Sequence, residues 1–344
     1  MTPRTWPASL LVTPTAWDRW GDRVLEVAPG LTPVIFDPGA DGADGADGAD
    51  GADGAGGADG ADGADGAGAP AQVAWVSFDI WATPRSAGRW FDRVTGTEGL
   101  EWCHTSSAGV DHPAYRAAAE RGATVSASHV SGGPIADFVL RAGLDALQDA
   151  SAWRVAQAAG VWQGHGFTEM ADTTWLVVGL GSIGAEVVTR ARAFGAWVVG
   201  CRRTPVGDEG CHRVVTPDRL PEVVGDADVI VLAAPAGTGT LVDRELLGRV
   251  RPGAVLINVA RGQLVDTDAM VVALDDGRLS LAVLDVFDRE PLPAGHPLWS
   301  HPKVVVTPHD SSSGGSRDER AGQVFLDELV RWRDGAPLDG RVEP

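Results

Sequence analysis

Residues 173–204, TTWLVVGLGSIGAEVVTRARAFGAWVVGCRRT, restrict what this chain can fold into more than any other stretch. An apolar run over 175–178 predicts a buried strand. It enters Gly179-Leu180-Gly181-Ser182-Ile183-Gly184, and an alanine-rich helix follows. A second apolar run, 197–199, ends at Cys201-Arg202-Arg203-Thr204. Strand, glycine turn, helix and strand make the βαβ unit that holds the pyrophosphate of a dinucleotide. Gly179 allows the tight turn, Gly181 lets the backbone approach the phosphates, and Gly184 lets the helix pack on the strand. Ser182 and Ile183 open the helix, where unpaired N–H groups and the positive dipole end face the ligand.

The far end of the unit bears on which dinucleotide. NAD-binding units carry an acidic residue about 20 positions after the first glycine, to accept from the ribose 2′-OH. Here Arg202 stands at that place, with Arg203 and Thr204 beside it. Two guanidiniums and a hydroxyl suit a 2′-phosphate, so NADP(H) is favoured and NAD(H) stays possible. The ordinary alternative is a solvated arginine pair at a strand end.

A chain of 344 residues is long enough for two domains, each with its own core. No apolar run reaches the length of about 18 residues that spans a membrane. No basic stretch followed by an apolar block is seen near residue 1, so no signal peptide is expected. Cys103, Cys201 and Cys211 are scattered without metal-ligand spacing; reduced thiols in a cytoplasmic protein without a metal centre are expected. The net charge of −19 argues against a nucleic-acid-binding surface. Part of that charge sits in residues 39–68, almost pure Gly-Ala-Asp; setting its eight aspartates aside leaves −11. With no large apolar side chain, the segment cannot offset its ordering entropy and reads as a disordered acidic insert.

Short apolar runs at 9–13, 33–36, 72–77, 100–105 and 124–127 alternate with helical stretches at 17–27, 86–94 and 113–121. That alternation predicts an α/β fold with parallel sheets. A helix opening at Ser131-Gly132-Gly133-Pro134 repeats Ile135, Phe138, Val139, Ala142 and Leu147 at helical spacing, and is expected to link the domains. Trp153 and Trp162 read as packing residues. Further strands are expected at 229–233, 254–259, 281–285 and 303–306. A last helix at 316–332 carries Ala321, Phe325, Leu329 and Trp332 on one stripe and should return to the first domain, leaving a cleft at the junction.

Ligands of open parallel sheets sit beyond the carboxyl ends of the strands. Arg261, Glu290 and His309 each follow such an end. An arginine fork can hold a carboxylate and a carbonyl oxygen, histidine can deliver a proton near neutral pH, and a carboxylate beside it keeps it protonated. Together with the glycine turn they make a ketone-reducing set. Each alone could be an ordinary surface side chain.

These segments, with SSAGVD at 106–111, VVGLGSIG, RPGAVLINVARGQLVD, LDVFDREPLP and VVVTPH, give the chain a close likeness to a known family. It resembles the NAD(P)-dependent D-isomer-specific 2-hydroxyacid dehydrogenases, glyoxylate/hydroxypyruvate reductases among them, from about residue 103 to 309. The resemblance implies that Arg261 binds the substrate's carboxyl and keto oxygens and that Glu290 pairs with the catalytic His309. It implies that Ala108 and Gly109 offer backbone N–H groups to the substrate carboxylate. Asp285 would contact the nicotinamide amide, Val259 and Ala260 would lie along the nicotinamide, and Ala234 and Pro235 would line the cofactor. It also implies two Rossmann-like domains, a central dinucleotide-binding domain (134–311) inserted in a discontinuous substrate domain (1–133 and 312–344), and a homodimer. Asp310 after the histidine, Asp137 in place of a glutamate, a shortened loop at 235–240 and the Gly-Ala-Asp insert depart from the family pattern. The resulting expectation is NADPH-preferring reduction of a small 2-oxo acid. A dinucleotide-sensing regulatory protein on the same fold is the alternative. Formate or phosphite oxidation fits less well, because formate dehydrogenases of this fold usually carry glutamine where Glu290 stands.

Overall fold

The computed structural model describes residues 8–39, 69–235 and 237–343. Apart from Gly39, the Gly-Ala-Asp segment expected to be disordered lies outside the described residues. The chain divides into two compact units, Met1–Val130 with Asp318–Pro344, and Ser131–Arg317.

The first unit opens with β1 (Ser9–Val12), α1 (Pro14–Val27), β2 (Thr32–Ile35), β3 (Val73–Val76), α2 (Pro84–Gly96), β4 (Trp102–Thr105), α3 (Pro113–Glu120) and β5 (Thr124–Ala127). The helices α1, α2 and α3 each begin at a proline preceded by a capping side chain. Thr13, Thr83 and His112 accept from the N–H groups of Ala16, Ser86 and Ala114. Proline loses nothing at that position because its missing N–H would have had no partner in the helix.

The second unit contains α4 (Gly132–Leu147), α5 (Ala150–Ala158), β6 (Thr174–Val178), α6 (Ser182–Ala193), β7 (Trp197–Cys201), β8 (Arg213–Val215), α7 (Leu220–Val223), β9 (Val229–Leu232), α8 (Arg244–Leu247), β10 (Ala254–Asn258), α9 (Thr267–Asp275), β11 (Leu279–Leu284) and β12 (Val304–Val306). The chain then returns to the first unit with α10 (Arg317–Arg333) and β13 (Arg341–Val342).

The sheet of the first unit runs β13-β5-β4-β3-β1-β2, parallel except for the antiparallel β13. One of its faces packs Trp90, Phe91 and Tyr115 from α2 and α3. The other packs Trp20 of α1 with Phe325, Leu329 and Trp332 of α10. Phe325 stacks on Trp75 at 4.1 Å between ring centroids, and a Cβ at Gly322 would overlap the Trp20 ring. The stripe read from the sequence is therefore the buried face of α10.

The second sheet, β12-β11-β10-β9-β6-β7-β8, is parallel throughout. The order reverses between β6 and β9, which opens a crevice at their carboxyl ends. The α/β fold with two parallel-sheet domains is borne out.

Some expectations need adjusting. The helix from Ser131 lies within the second unit, because Gly132 packs against the Ser182 carbonyl and Gly143 against the Trp175 ring. The units accordingly part at Val130/Ser131 and Arg317/Asp318 rather than at the junctions expected near 133 and 311. Trp162 is fully exposed and Trp153 is exposed beside His165 and Phe167, so neither packs in a core of this chain. Both belong to a region where α5 buries no residue at all. The edge strands β8 and β13 were not expected; at three and two residues they are too short for periodicity to register.

Candidate active site

The glycine turn after β6 has the geometry its sequence requires. Gly179 has φ +102°, a region side chains avoid, and a Cβ there would lie 2.5 Å from the Ala233 backbone. A Cβ at Gly184 would overlap the Gly179 carbonyl, so only glycine lets α6 approach β6 this closely. Gly181 differs: nothing lies within 4 Å of its Cβ position, and no side chain caps α6. Open space thus faces a helix N-terminus whose first N–H groups need acceptors, and an anionic pyrophosphate fits that cradle. Ser182 and Ile183, at the start of α6, are half-buried.

At the end of β7, Arg202 still pairs its N–H with Val215 of β8 (3.1 Å), while Arg203 and Thr204 are exposed. Its guanidinium Nη1 lies 4.0 Å from Glu209 Oε1, a contact the sequence did not suggest. After β9, Ala234 is buried and Pro235 exposed, and the Pro235 carbonyl accepts from Thr238 Oγ1 (3.1 Å).

Three neighbouring strand ends carry the reactive side chains. At the end of β10 the buried Asn258 braces the following turn: Nδ2 donates to the Arg261 carbonyl (2.8 Å), and Oδ1 accepts from the Ala260 N–H (3.1 Å). Val259 and Ala260 are buried, and Arg261 Nη1 donates to the Ala260 carbonyl (2.7 Å). Gly262 comes next, where a Cβ would overlap the Phe287 backbone. The turn bearing Arg261 therefore rests directly on the segment that leads to Glu290.

Beyond β12, His309 adopts φ +55°, unusual for a residue with a side chain. Asp285 holds this segment in place. It is fully buried, and its carboxylate accepts from Thr307 Oγ1 (2.7 Å), Asp310 N–H (2.8 Å) and Ser311 N–H (3.1 Å). His309 Nδ1 then meets Glu290 Oε2 at 2.7 Å, while Glu290 Oε1 accepts from the Phe287 N–H (2.9 Å).

The hydrogen bond to Glu290 raises the His309 pKa above its ordinary value, against burial and the Arg261 charge; the charges of Glu290 and Asp285 act in the same direction. Burial pushes the Glu290 carboxyl up, but the hydrogen bonds from His309 and Phe287, with the charges of His309 and Arg261, bring it below the ordinary carboxylate value. A histidine whose proton is held more tightly, close to an arginine, is suited to giving a proton to an oxygen that an arginine can hold.

The structure thus brings Glu290 and His309 into contact, with Arg261 close enough for its charge to be felt by both. Ala108 and Gly109 follow β4 in the first unit, both half-buried. Asn258, Thr307 and Glu209 were not singled out from the sequence. The first two belong to segments that were quoted, but their roles are local hydrogen bonds, Asn258 to backbone and Thr307 to Asp285, that carry no sequence signal. A mainly apolar cavity of about 200 Å³, bounded by Asn258, Gly262 and Phe287 among others, is lined by none of Arg261, Glu290 and His309. Among the described residues no cluster of three His, Cys, Asp or Glu side chains could hold a metal ion, and no helix is long and apolar enough to cross a membrane.

Residues 141–311 match the family model of the D-isomer specific 2-hydroxyacid dehydrogenase, NAD binding domain. A D-isomer specific 2-hydroxyacid dehydrogenase family protein from Aeromonas salmonicida subsp. salmonicida A449 is similar in structure, with a TM-score of 0.78 and 27% identity over 98% of this chain and 99% of that one. A D-isomer specific 2-hydroxyacid dehydrogenase from Xanthobacter autotrophicus Py2, solved in complex with NADPH and MES, has a TM-score of 0.74 at 27% identity, covering 99% of each chain. Glyoxylate/hydroxypyruvate reductase A of Salmonella choleraesuis (strain SC-B67) is 32% identical over 169 residues, 48% of this chain and 54% of that protein. The chain spans between 33% and 57% of the length of the first curated relatives it matches.

Proposed function

We propose that this chain, which belongs to the D-isomer-specific 2-hydroxyacid dehydrogenase family, reduces small 2-oxo acids to D-2-hydroxy acids, with NADPH preferred and NADH accepted. The observation that carries the reading is the His309–Glu290 pair at 2.7 Å, beyond the carboxyl ends of the same parallel sheet as Arg261 and the glycine turn. The bound cofactor supplies a hydride to the carbonyl carbon. Gly179, Gly181, Ser182, Ile183 and Gly184 hold its pyrophosphate, Arg202, Arg203 and Thr204 its adenosine end, and Ala234, Pro235, Val259 and Ala260 its length.

The chain's own residues do the rest. Arg261 holds the substrate's carboxylate and keto oxygen and withdraws electron density from the carbonyl carbon. His309, with Nδ1–H fixed on Glu290, gives its Nε2 proton to that oxygen as the hydroxyl forms and leaves as neutral imidazole. Asp285 keeps the His309 segment in register. Since its carboxylate is buried and takes three donors from that segment, we assign it to holding the segment rather than to direct contact with the nicotinamide. Ala108 and Gly109 we assign to the substrate carboxylate through their N–H groups.

Glyoxylate and hydroxypyruvate are the first substrates to try, given the similarity to a glyoxylate/hydroxypyruvate reductase. The NADPH complex of the Xanthobacter relative supports the cofactor reading, as do Arg202 and Arg203. We also infer a cytoplasmic homodimer, for which the unpaired cysteines and the exposed Trp162 and Phe167 are the support. The test is a screen of small 2-oxo acids with each reduced cofactor, followed by loss of absorbance. Oxidation of NADPH ahead of NADH with at least one of them is expected. Turnover of neither with any of them overturns the reading, and tight NADPH binding without turnover would favour a dinucleotide sensor.

A further inference from the structure

The loop between β7 and β8 follows Arg202-Arg203-Thr204 directly and contains an acid the glycine turn does not call for. Val206, Gly207 and Asp208 are exposed, yet the Glu209 side chain is only 4% exposed. Its Oε1 accepts from the Val206 N–H at 2.5 Å and lies 4.0 Å from Arg202 Nη1. The loop around it is seated firmly. Arg192 Nη1 donates to the Gly210 carbonyl (2.7 Å), Asp208 Oδ1 accepts from the Gly210 N–H (3.3 Å), and Cys211 Sγ lies 2.6 Å from where a Cβ on Gly200 would be. Glu209 is therefore a charge at a fixed place, beside the arginine read as the 2′-phosphate ligand.

We propose that Glu209 is a second determinant of cofactor choice: it restrains the preference for a 2′-phosphate that Arg202 and Arg203 create. The inference rests on the NADPH reading above. A phosphate monoester carries about −1.5 to −2 charges near neutral pH. It is attracted by the guanidiniums and repelled by the carboxylate, whereas a ribose 2′-OH is neutral and feels little of either. Because the Glu209 side chain is almost buried, water screens its charge less than it would an exposed acid. The pair thus leaves the pocket less cationic than two arginines alone would make it, and NADH remains a usable ligand.

The test is Glu209→Gln in the full chain, with Kd for NADPH and NADH measured by calorimetry at low and high salt. Glutamine keeps an oxygen to accept the Val206 N–H, so the loop is retained and only the charge is lost. The Kd for NADPH should fall on the order of five- to tenfold, and that for NADH should change by less than about twofold, with the difference shrinking as salt rises. An unchanged ratio overturns the inference. So does a weakened preference for NADPH over NADH, which would make Glu209 a positioning residue for Arg202. Arg202→Ala, measured alongside, separates the two readings. If Arg202→Ala leaves the NADPH-to-NADH ratio unchanged, the 2′-phosphate assignment fails and the inference falls with it. If Arg202→Ala weakens NADPH relative to NADH but Glu209→Gln does nothing, only the role of Glu209 fails.

Discussion

Replacing Glu290 with glutamine removes the charge that keeps His309 protonated and leaves an amide oxygen for the Phe287 N–H. A hydrogen bond to a charged group contributes about 1.5–3 kcal/mol, and one pKa unit corresponds to about 1.4 kcal/mol. The His309 side chain is 51% exposed and that of Glu290 36%, so solvent screening places the loss at the low end, about 1.5 kcal/mol, and the His309 pKa moves down. Reduction needs His309 protonated. In the native chain kcat/KM for reduction is therefore full at low pH and falls as pH rises through the raised His309 pKa. In the variant the fall begins at lower pH, and above both inflections the protonation loss alone is about tenfold. Initial rates of NADPH oxidation across pH, with a 2-oxo acid identified by the screen, check this. A lower plateau with an unmoved inflection would refute it and reduce Glu290 to a group that orients the ring.

Other perturbations test the same framework. Asp285→Ala leaves the Thr307 hydroxyl and the N–H groups of Asp310 and Ser311 without their acceptor; turnover should drop on the order of 10²-fold, with a lower melting temperature by calorimetry. Gly262→Ala drives a methyl into the Phe287 backbone and should cost about 10² in kcat while NADPH binding by fluorescence is retained. Phe325→Ala empties the stack between Trp75 and Trp102 and should cost about 3–5 kcal/mol in denaturant unfolding. His104 is fully buried between Ser126 and Ser128, and burial lowers its pKa from 6.5 to about 3. Its contribution to stability is present above pH 6.5 and is lost as pH falls toward about 3; His104→Gln should flatten that part of the stability–pH curve.

Much of the second unit was legible because its signals are local. Buried parallel strands write themselves as apolar runs such as Leu176-Val177-Val178 and Val255-Leu256-Ile257, and each reactive residue follows the end of one. The contact of Glu290 with His309 could be anticipated only through the family resemblance, since nothing within either segment points to the other. The local hydrogen bonds of Asn258 and Asp285 illustrate what stayed hidden, although Asp285 itself was named from the sequence. Their side chains bond to backbone groups, and any residue type can sit at the far side of such a bond. Trp153 and Trp162 misled for the opposite reason: a large apolar side chain suggests burial, yet both are exposed among the described residues, and α5, which bears Trp153, buries no residue.

The bare contact at Gly262 sets how the Arg261 and Glu290 segments relate. Because main chain meets main chain there with no side chain between, the gap separating the two turns is that between the adjacent strands β10 and β11, not a choice of rotamer. In the proposed reaction, the spacing of the turns that carry Arg261 and Glu290 would then act as a fixed gauge for the one feature every 2-oxo acid shares. On that proposal, discrimination by substrate length would come from residues away from these strand ends, which could vary without altering the gauge.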